Sequence, residues 1–176
     1  MFAKIMLISA FLFAPLFFSF AQPSYVGVKS CVMCHKSEKQ GQQQSIWENS
    51  KHSKAYETLL TEKADQIAKQ KGFDTKASET EDCLRCHASG YNVDASLIGK
   101  NFKVEQGVQC ETCHGPGSDY KSKKIMQDTE KAVANGLILY ENPEELCITC
   151  HNAESPTMVE FVFAESWEKI KHNVPD

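Results

Sequence analysis

The 176-residue sequence predicts a small, compact, mainly α-helical protein with few short strands. Apolar residues recur at helical spacing, glycines and prolines mark helix ends, and four copies of one cysteine motif begin at residues 31, 83, 110 and 147. The segments between these motifs are too short to bury apolar cores of their own. The core must therefore come largely from whatever the motifs bind.

The helices are predicted from periodicity and end signals. A partial apolar stripe and a stop at Gly72 predict a helix over Ser45–Lys71. The segment Asn142-Pro143-Glu144-Glu145 combines an N-cap residue, a first-position proline and an acidic first turn, which predicts a helix leading into the fourth motif. We also expect one or two helices over Lys121–Ala134 and a last helix over Ala164–Lys171.

Three segments are not predicted as helix. The polar stretch 73–82 is expected to be a loop, and glycines with some alternation predict a short hairpin within Asn92–Gln109. Gly115-Pro116-Gly117 directly follows the third motif. It is either a helix stop that lets backbone approach a bound group closely or an ordinary tight turn.

The first 21 residues predict export. Lys4 is their only charge, an apolar run containing Pro15 follows it, and the run ends in Ser19-Phe20-Ala21. This pattern is typical of a signal peptide cleaved after Ala21. The alternative is an uncleaved anchor, but the run is shorter than the roughly 20 residues needed to span a bilayer. We expect a periplasmic domain of residues 22–176 without stable membrane insertion.

Charge narrows the class of partner. The 19 basic and 23 acidic side chains are nearly balanced, so no general affinity for nucleic acid is expected. The slight acidity favours redox partners with a basic face, because complementary potentials speed the encounter of proteins. The sequence identifies neither a donor nor an acceptor.

All eight cysteines lie in four Cys-x-x-Cys-His motifs. They are Cys31, Cys34 and His35; Cys83, Cys86 and His87; Cys110, Cys113 and His114; and Cys147, Cys150 and His151. Two thiols one helical turn apart reach both vinyl groups of a haem, and the adjacent histidine becomes the proximal iron ligand. Structural zinc, disulfides and thioredoxin-like motifs do not require a histidine after every pair. The sequence therefore predicts four covalently bound haem c groups.

Three functions are compatible with four haems in so small a domain. The first is electron transfer, in which the protein places the haems and tunes their potentials. The second is binding or reduction of nitric oxide, nitrite or hydroxylamine at an iron with an open position. The third is a structural role as a subunit of a conducting filament or a membrane complex.

Several stretches resemble a known family. They are Lys29–Lys36, Trp47–Leu59 with His52, Asp82–Tyr91, Gly107–Gly117 and the tail Phe163–His172. In this order they resemble the tetrahaem cytochrome c-554 family of ammonia-oxidising bacteria, the electron acceptors of hydroxylamine oxidoreductase. The resemblance implies a mostly helical fold around stacked haem pairs, with three bis-histidine haems and one five-coordinate haem.

The resemblance also implies sixth ligands. Outside the motifs only two histidines remain, His52 and His172, and composition alone leaves each as a ligand or a solvated side chain. Carried over from the family, His52 is the distal ligand of the third haem and His172 that of the fourth. The second haem has no evident distal residue and is expected to be five-coordinate.

At the first haem the sequence departs from the family. The family's distal histidine follows the Gly-Pro-Gly segment, where this chain has Lys121-Ser-Lys-Lys124-Ile-Met126. Met126 is one candidate ligand, a deprotonated Lys123 or Lys124 is another, and an open first haem is the third. Arg85, inside the second motif, either pairs with a haem propionate or is solvated.

Overall fold

The computed structural model describes residues 22–158 and 160–173. The predicted signal peptide lies outside the described residues.

Within those two ranges the chain forms ten α-helices and five 3₁₀ turns. The helices are α1 Val28–Val32, α2 Gln43–Asn49, α3 Ala55–Thr58, α4 Glu62–Gln70, α5 Glu81–His87, α6 Cys110–His114, α7 Lys123–Met126, α8 Thr129–Ala134, α9 Pro143–Cys147 and α10 Phe163–Ile170. The 3₁₀ turns are Glu38–Gln40, His52–Lys54, Ala77–Glu79, Ala95–Leu97 and Val104–Gln106. None of the helices in this part of the chain is long and apolar enough to cross a bilayer.

The helix predicted over Ser45–Lys71 is divided into α2, α3 and α4. The first break follows Asn49, where Ser50 adopts an extended conformation with ψ 162°. The Ser50 hydroxyl donates to the Trp47 carbonyl at 2.7 Å, and the Ser53 hydroxyl donates to the Ser50 carbonyl at 3.0 Å. Such side-chain bonds offer the backbone an alternative to the helical ladder, which explains why the helix is interrupted here.

The hairpin predicted within Asn92–Gln109 is wrong. Two 3₁₀ turns occupy this segment, and a single parallel bridge joins Tyr25 to Ile98. The Asp94 carboxylate accepts a hydrogen bond from the Ser96 amide at 2.8 Å, and this local bond favours a turn over an extended strand. The mainly α class is confirmed, with that one bridge as the β pairing of the described chain.

The C-terminal helices agree with their sequence signals. The segment 121–134 forms two helices because the Asp128 side chain caps α8, accepting from the Lys131 amide at 3.0 Å. Gly136 then ends that segment with φ 99°. Helix α9 begins at Pro143 as predicted, although the Asn142 side chain donates to Glu145 instead of capping the helix.

The buried apolar side chains are few and mostly small. In the described ranges they are Val26, Val28, Leu59, Ala68, Ala77, Ala88, Tyr120 and Ala132. Leu59, Ala68 and Ala77 form one cluster with partly buried neighbours from α4 and α5. A chain of this length normally buries many large apolar residues, so this set agrees with a core supplied by bound groups.

Leu59 tests the contribution of that cluster. Leu59 is 5% exposed, whereas the adjacent Leu60 is 63% exposed. Leu59→Ala should lower the free energy of unfolding by about 2–4 kcal/mol, because it leaves a cavity. Leu60→Ala is the matched control and should change it by about 0.5 kcal/mol or less. Denaturant unfolding of the holoprotein measures both, and equal effects would contradict this description of the core.

Candidate haem sites

Each motif forms one turn of helix. The second motif lies within α5 and the third forms α6. The first and fourth motifs extend beyond the ends of α1 and α9, but both keep a helical hydrogen bond. The His35 amide donates to the Cys31 carbonyl at 3.1 Å, and the His151 amide donates to the Cys147 carbonyl at 2.9 Å. One helical turn places both thiols of a motif on the same side, as thioether formation with a single haem requires. All eight thiols are free.

The first and third motifs are neighbours. Helix α1 packs against α6. The thiols of Cys31 and Cys110 lie within hydrogen-bonding reach, and this bond, followed by burial, raises the pKa of Cys31. The same bond lowers the pKa of Cys110.

The second, third and fourth motifs also lie near one another. Burial, then the nearby Cys150, raises the pKa of Cys86 to about 11, and the Cys150 thiol lies 3.9 Å from the Arg85 carbonyl. The second and fourth motifs are therefore adjacent. Burial, then the thiols of the fourth motif, raises the pKa of Cys113 to about 11. In space the motifs follow the order first, third, fourth, second.

The two histidines outside the motifs each face a motif histidine. The ring centroids of His52 and His151 are 6.1 Å apart, and those of His114 and His172 are 5.9 Å apart. A metal bound to two imidazole nitrogens at about 2 Å each separates the ring centroids by about 6 Å. Both pairs therefore fit an iron held between two histidines.

This pairing corrects the one implied by the resemblance. His52 was expected opposite the third motif, but it lies beside His151 of the fourth. His172 was expected opposite the fourth motif, but it lies beside His114 of the third. The physical reason is the path of the chain. The Val108 amide, just before the third motif, donates to the His52 carbonyl at 2.9 Å. The segment before the third motif therefore packs against the backbone of His52 and not against its ring.

Burial favours the neutral form of several histidines in and around the motifs. Burial is the first cause that lowers the pKa in four of them, namely His35, His52, His114 and His151. A lowered pKa favours the neutral ring at neutral pH, and the neutral ring is the metal ligand.

Two of the motif histidines are oriented by backbone carbonyls. Nδ1 of His87 lies 2.9 Å from the Ala55 carbonyl, and Nδ1 of His114 lies 3.1 Å from the Ile138 carbonyl. A hydrogen bond at Nδ1 fixes the tautomer that leaves Nε2 free for iron. The His151 ring is instead held by stacking on Phe161, with centroids 4.6 Å apart and planes 13° apart.

The first site is less complete. Nδ1 of His35 is buried without a hydrogen-bond partner among the described residues. Met126 is half-buried at the end of α7. Its ligation of the first haem stays a prediction, as do those of Lys123 and Lys124.

Arg85 has a protein partner. Its guanidinium pairs with the Glu154 carboxylate, which follows the fourth motif. Both side chains are exposed, so solvent screens the pair and it stabilises the fold little. The structure therefore supports a contact between the second and fourth motifs in place of a freely solvated arginine.

Two buried residues of the third site carried no signal in the sequence. Glu111 lies between the cysteines of the motif, and Tyr120 follows the Gly-Pro-Gly segment. The Tyr120 hydroxyl donates to the Gly115 carbonyl at 2.8 Å and lies 3.1 Å from the His114 carbonyl. Their partners are backbone groups, which no spacing of residue types indicates.

These features define a class of protein. Four helical turns carry paired thiols with a histidine, and two further histidines stand at axial distance from two of the four. This is the arrangement of a c-type cytochrome.

Part of the chain is similar to known cytochromes. Residues 30–115 match the family "Cytochrome c554 and c-prime". Cytochrome c-554 of Nitrosomonas europaea is 27% identical over 143 residues, which cover 74% of this chain and 59% of that relative. No solved structure gives a significant match. Over residues 30–115 the chain is therefore similar to the cytochrome c-554 family, whose members carry haem c.

Tyr120→Phe tests the contact that holds the end of the third motif. Removing the hydroxyl leaves buried carbonyls without their donor, so the free energy of unfolding should fall by about 1–2 kcal/mol. Tyr140→Phe, at an exposed tyrosine, is the control and should change it by less than about 0.5 kcal/mol. Thermal unfolding of the two holoproteins measures the difference. Equal unfolding temperatures would show that the Tyr120 bond contributes nothing.

Proposed function

We propose that the protein is a periplasmic electron carrier that holds four haem c groups in the spatial order first, third, fourth, second. The observation that carries this proposal is the pair of facing histidines at two motifs, 5.9 and 6.1 Å between ring centroids. A separation that fits an iron would not be expected twice in a fold that needs no iron. The haems, when bound, supply one-electron iron chemistry.

The order of the motifs supports carriage along the molecule. Neighbouring thiols connect the first motif to the third and the fourth to the second, and the thiols of the fourth motif are close enough to act electrostatically on Cys113 of the third. Centres attached at such closely spaced points are near enough for electrons to pass from one to the next. The chain's own contribution is to fix these positions and, by burial, to favour the neutral rings of His35, His52, His114 and His151.

The ligand sets follow from the facing rings. We assign His114 and His172 to the third haem, and His151 and His52 to the fourth. His35 and His87 are the proximal ligands of the first and second haems. The donor and acceptor are redox proteins, and the net charge of −4 favours basic faces on them.

A second candidate function has one specific observation in its favour. The chain has six histidines, four in motifs and two in the facing pairs, so the first and second motifs have no second histidine. Nδ1 of His87 lies 2.9 Å from the Ala55 carbonyl, which leaves Nε2 available for an iron. Nitric oxide, nitrite or hydroxylamine would bind at such an iron.

Haem counting and carbon monoxide binding test both functions. The pyridine haemochrome of the purified holoprotein should give four haems per chain, and carbon monoxide should shift the reduced Soret band of one or two of them. A count below four would contradict the tetrahaem proposal. Four haems with no shift would exclude the open-iron function and leave electron carriage.

Replacing the facing histidines tests the ligand pairing. His172→Ala and His52→Ala should each add one carbon monoxide-binding haem, because each removes one axial ligand. Asn173→Ala, next to His172 and exposed, is the matched control and should add none. In a crystal structure of the His172→Ala protein with carbon monoxide, the ligand should lie on the iron held by His114. Carbon monoxide on the iron of His151 would overturn the pairing.

A further inference from the structure

Glu111 is a buried carboxylate in the middle of the third motif. Its side chain is 2% exposed and accepts hydrogen bonds from three backbone amides. The Val26 amide donates at 2.8 Å, the Gly27 amide at 2.8 Å and the Gly117 amide at 2.7 Å. A carboxylate is acceptor-only when ionised, so three converging N–H groups stabilise the charged form.

These bonds join α6, which contains Glu111, to two other segments. Val26 and Gly27 lead into α1 and the first motif, whereas Gly117 ends the Gly-Pro-Gly segment after α6. Close packing at both glycines keeps the amides in place: a Cβ on Gly27 would lie 2.5 Å from the Asn101 carbonyl oxygen, and one on Gly117 would lie 3.2 Å from Oε1 of Glu111. Glu111 thus holds the first and third motifs side by side.

Among the described residues no lysine or arginine forms an ion pair with Glu111, although Lys121 is close enough to act on Cys31. The ion pairs of the described chain are Arg85–Glu154 and Lys171–Glu168, and neither involves Glu111. Its field reaches both motifs, because among the smaller causes it raises the pKa of Cys31 and opposes the lowering of the pKa of Cys110. In a region shielded from water such a charge acts more strongly than at the surface.

We propose that Glu111 is a positioning residue with an electrostatic role: it locks the first and third motifs together, and its buried negative charge lowers the reduction potentials of the first and third haems. The inference rests on the proposed tetrahaem function. Ferric iron carries one more positive charge than ferrous iron, so a nearby anion favours the ferric state. A purely structural residue would not shift the potentials of correctly folded haems.

The test is spectroelectrochemical titration of the Glu111→Gln holoprotein. Glutamine keeps the shape and one accepting oxygen but removes the charge. At a fixed solution potential, the ferrous-to-ferric ratio of one or two of the four haems should rise about tenfold, equivalent to about 59 mV for a one-electron couple. Glu105→Gln removes an exposed carboxylate just before the third motif and is the matched control, with an expected shift less than a quarter as large.

Two further measurements separate position from charge. Glu111→Asp keeps the charge on a shorter arm, so the potentials should stay near wild type. In the wild-type holoprotein the amides of Val26, Gly27 and Gly117 should be protected from hydrogen exchange, which requires no variant to fold. Free exchange of these amides would overturn the proposal. So would unchanged potentials in a Glu111→Gln protein that still gives four haems by pyridine haemochrome, a count that tests the underlying function separately.

Discussion

Imidazole rings that face each other at the distance of a shared metal connect parts of this chain that are remote in sequence. His52 meets a ring near the end of the chain, and His172 meets one in its middle. The apolar core does not connect remote segments to a similar extent, because the buried apolar side chains of the described ranges are mainly alanines and valines. Ordering a residue costs about 1–2 kcal/mol of backbone entropy, which so small a core does not offset. The fold therefore depends on what those rings and the neighbouring thiols hold.

Backbone contacts relate the paired sites to one another. The His52 carbonyl accepts from the Val108 amide at 2.9 Å, and the Trp47 indole donates to the Val108 carbonyl at 2.8 Å. The approach is close enough to require glycine at 107, which has φ 69° and whose Cβ would lie 2.5 Å from the His52 carbonyl oxygen. The segment that carries one axial histidine is thereby fixed to the segment that begins the third motif.

Local features of this structure could be predicted from the sequence, whereas most of its long-range contacts could not. Gly72 and Pro143 mark helix ends correctly, because each signal lies within a few residues of the feature that it predicts. The haem attachment points stay a prediction from motif spacing. The breaks after Asn49 and at Asp94 depend on side-chain bonds that compete with regular structure. Which remote histidine faces which motif depends on the path of the whole chain, so the pairing implied by resemblance had the two exchanged.

The two ends of the motif series differ in electrostatics. At the first and third motifs lies Glu111, a buried anion that accepts from three backbone amides and forms no ion pair among the described residues. At the fourth and second motifs Arg85 and Glu154 are paired with each other, and the other charges that act on the thiols, Lys71, Asp82 and Glu144, are exposed to screening solvent. If the haems follow the order that we propose, the anion disfavours an electron at one end and nothing comparable does so at the other. The static charges of the protein then give the series a direction, with electrons descending from the first and third haems towards the fourth and second.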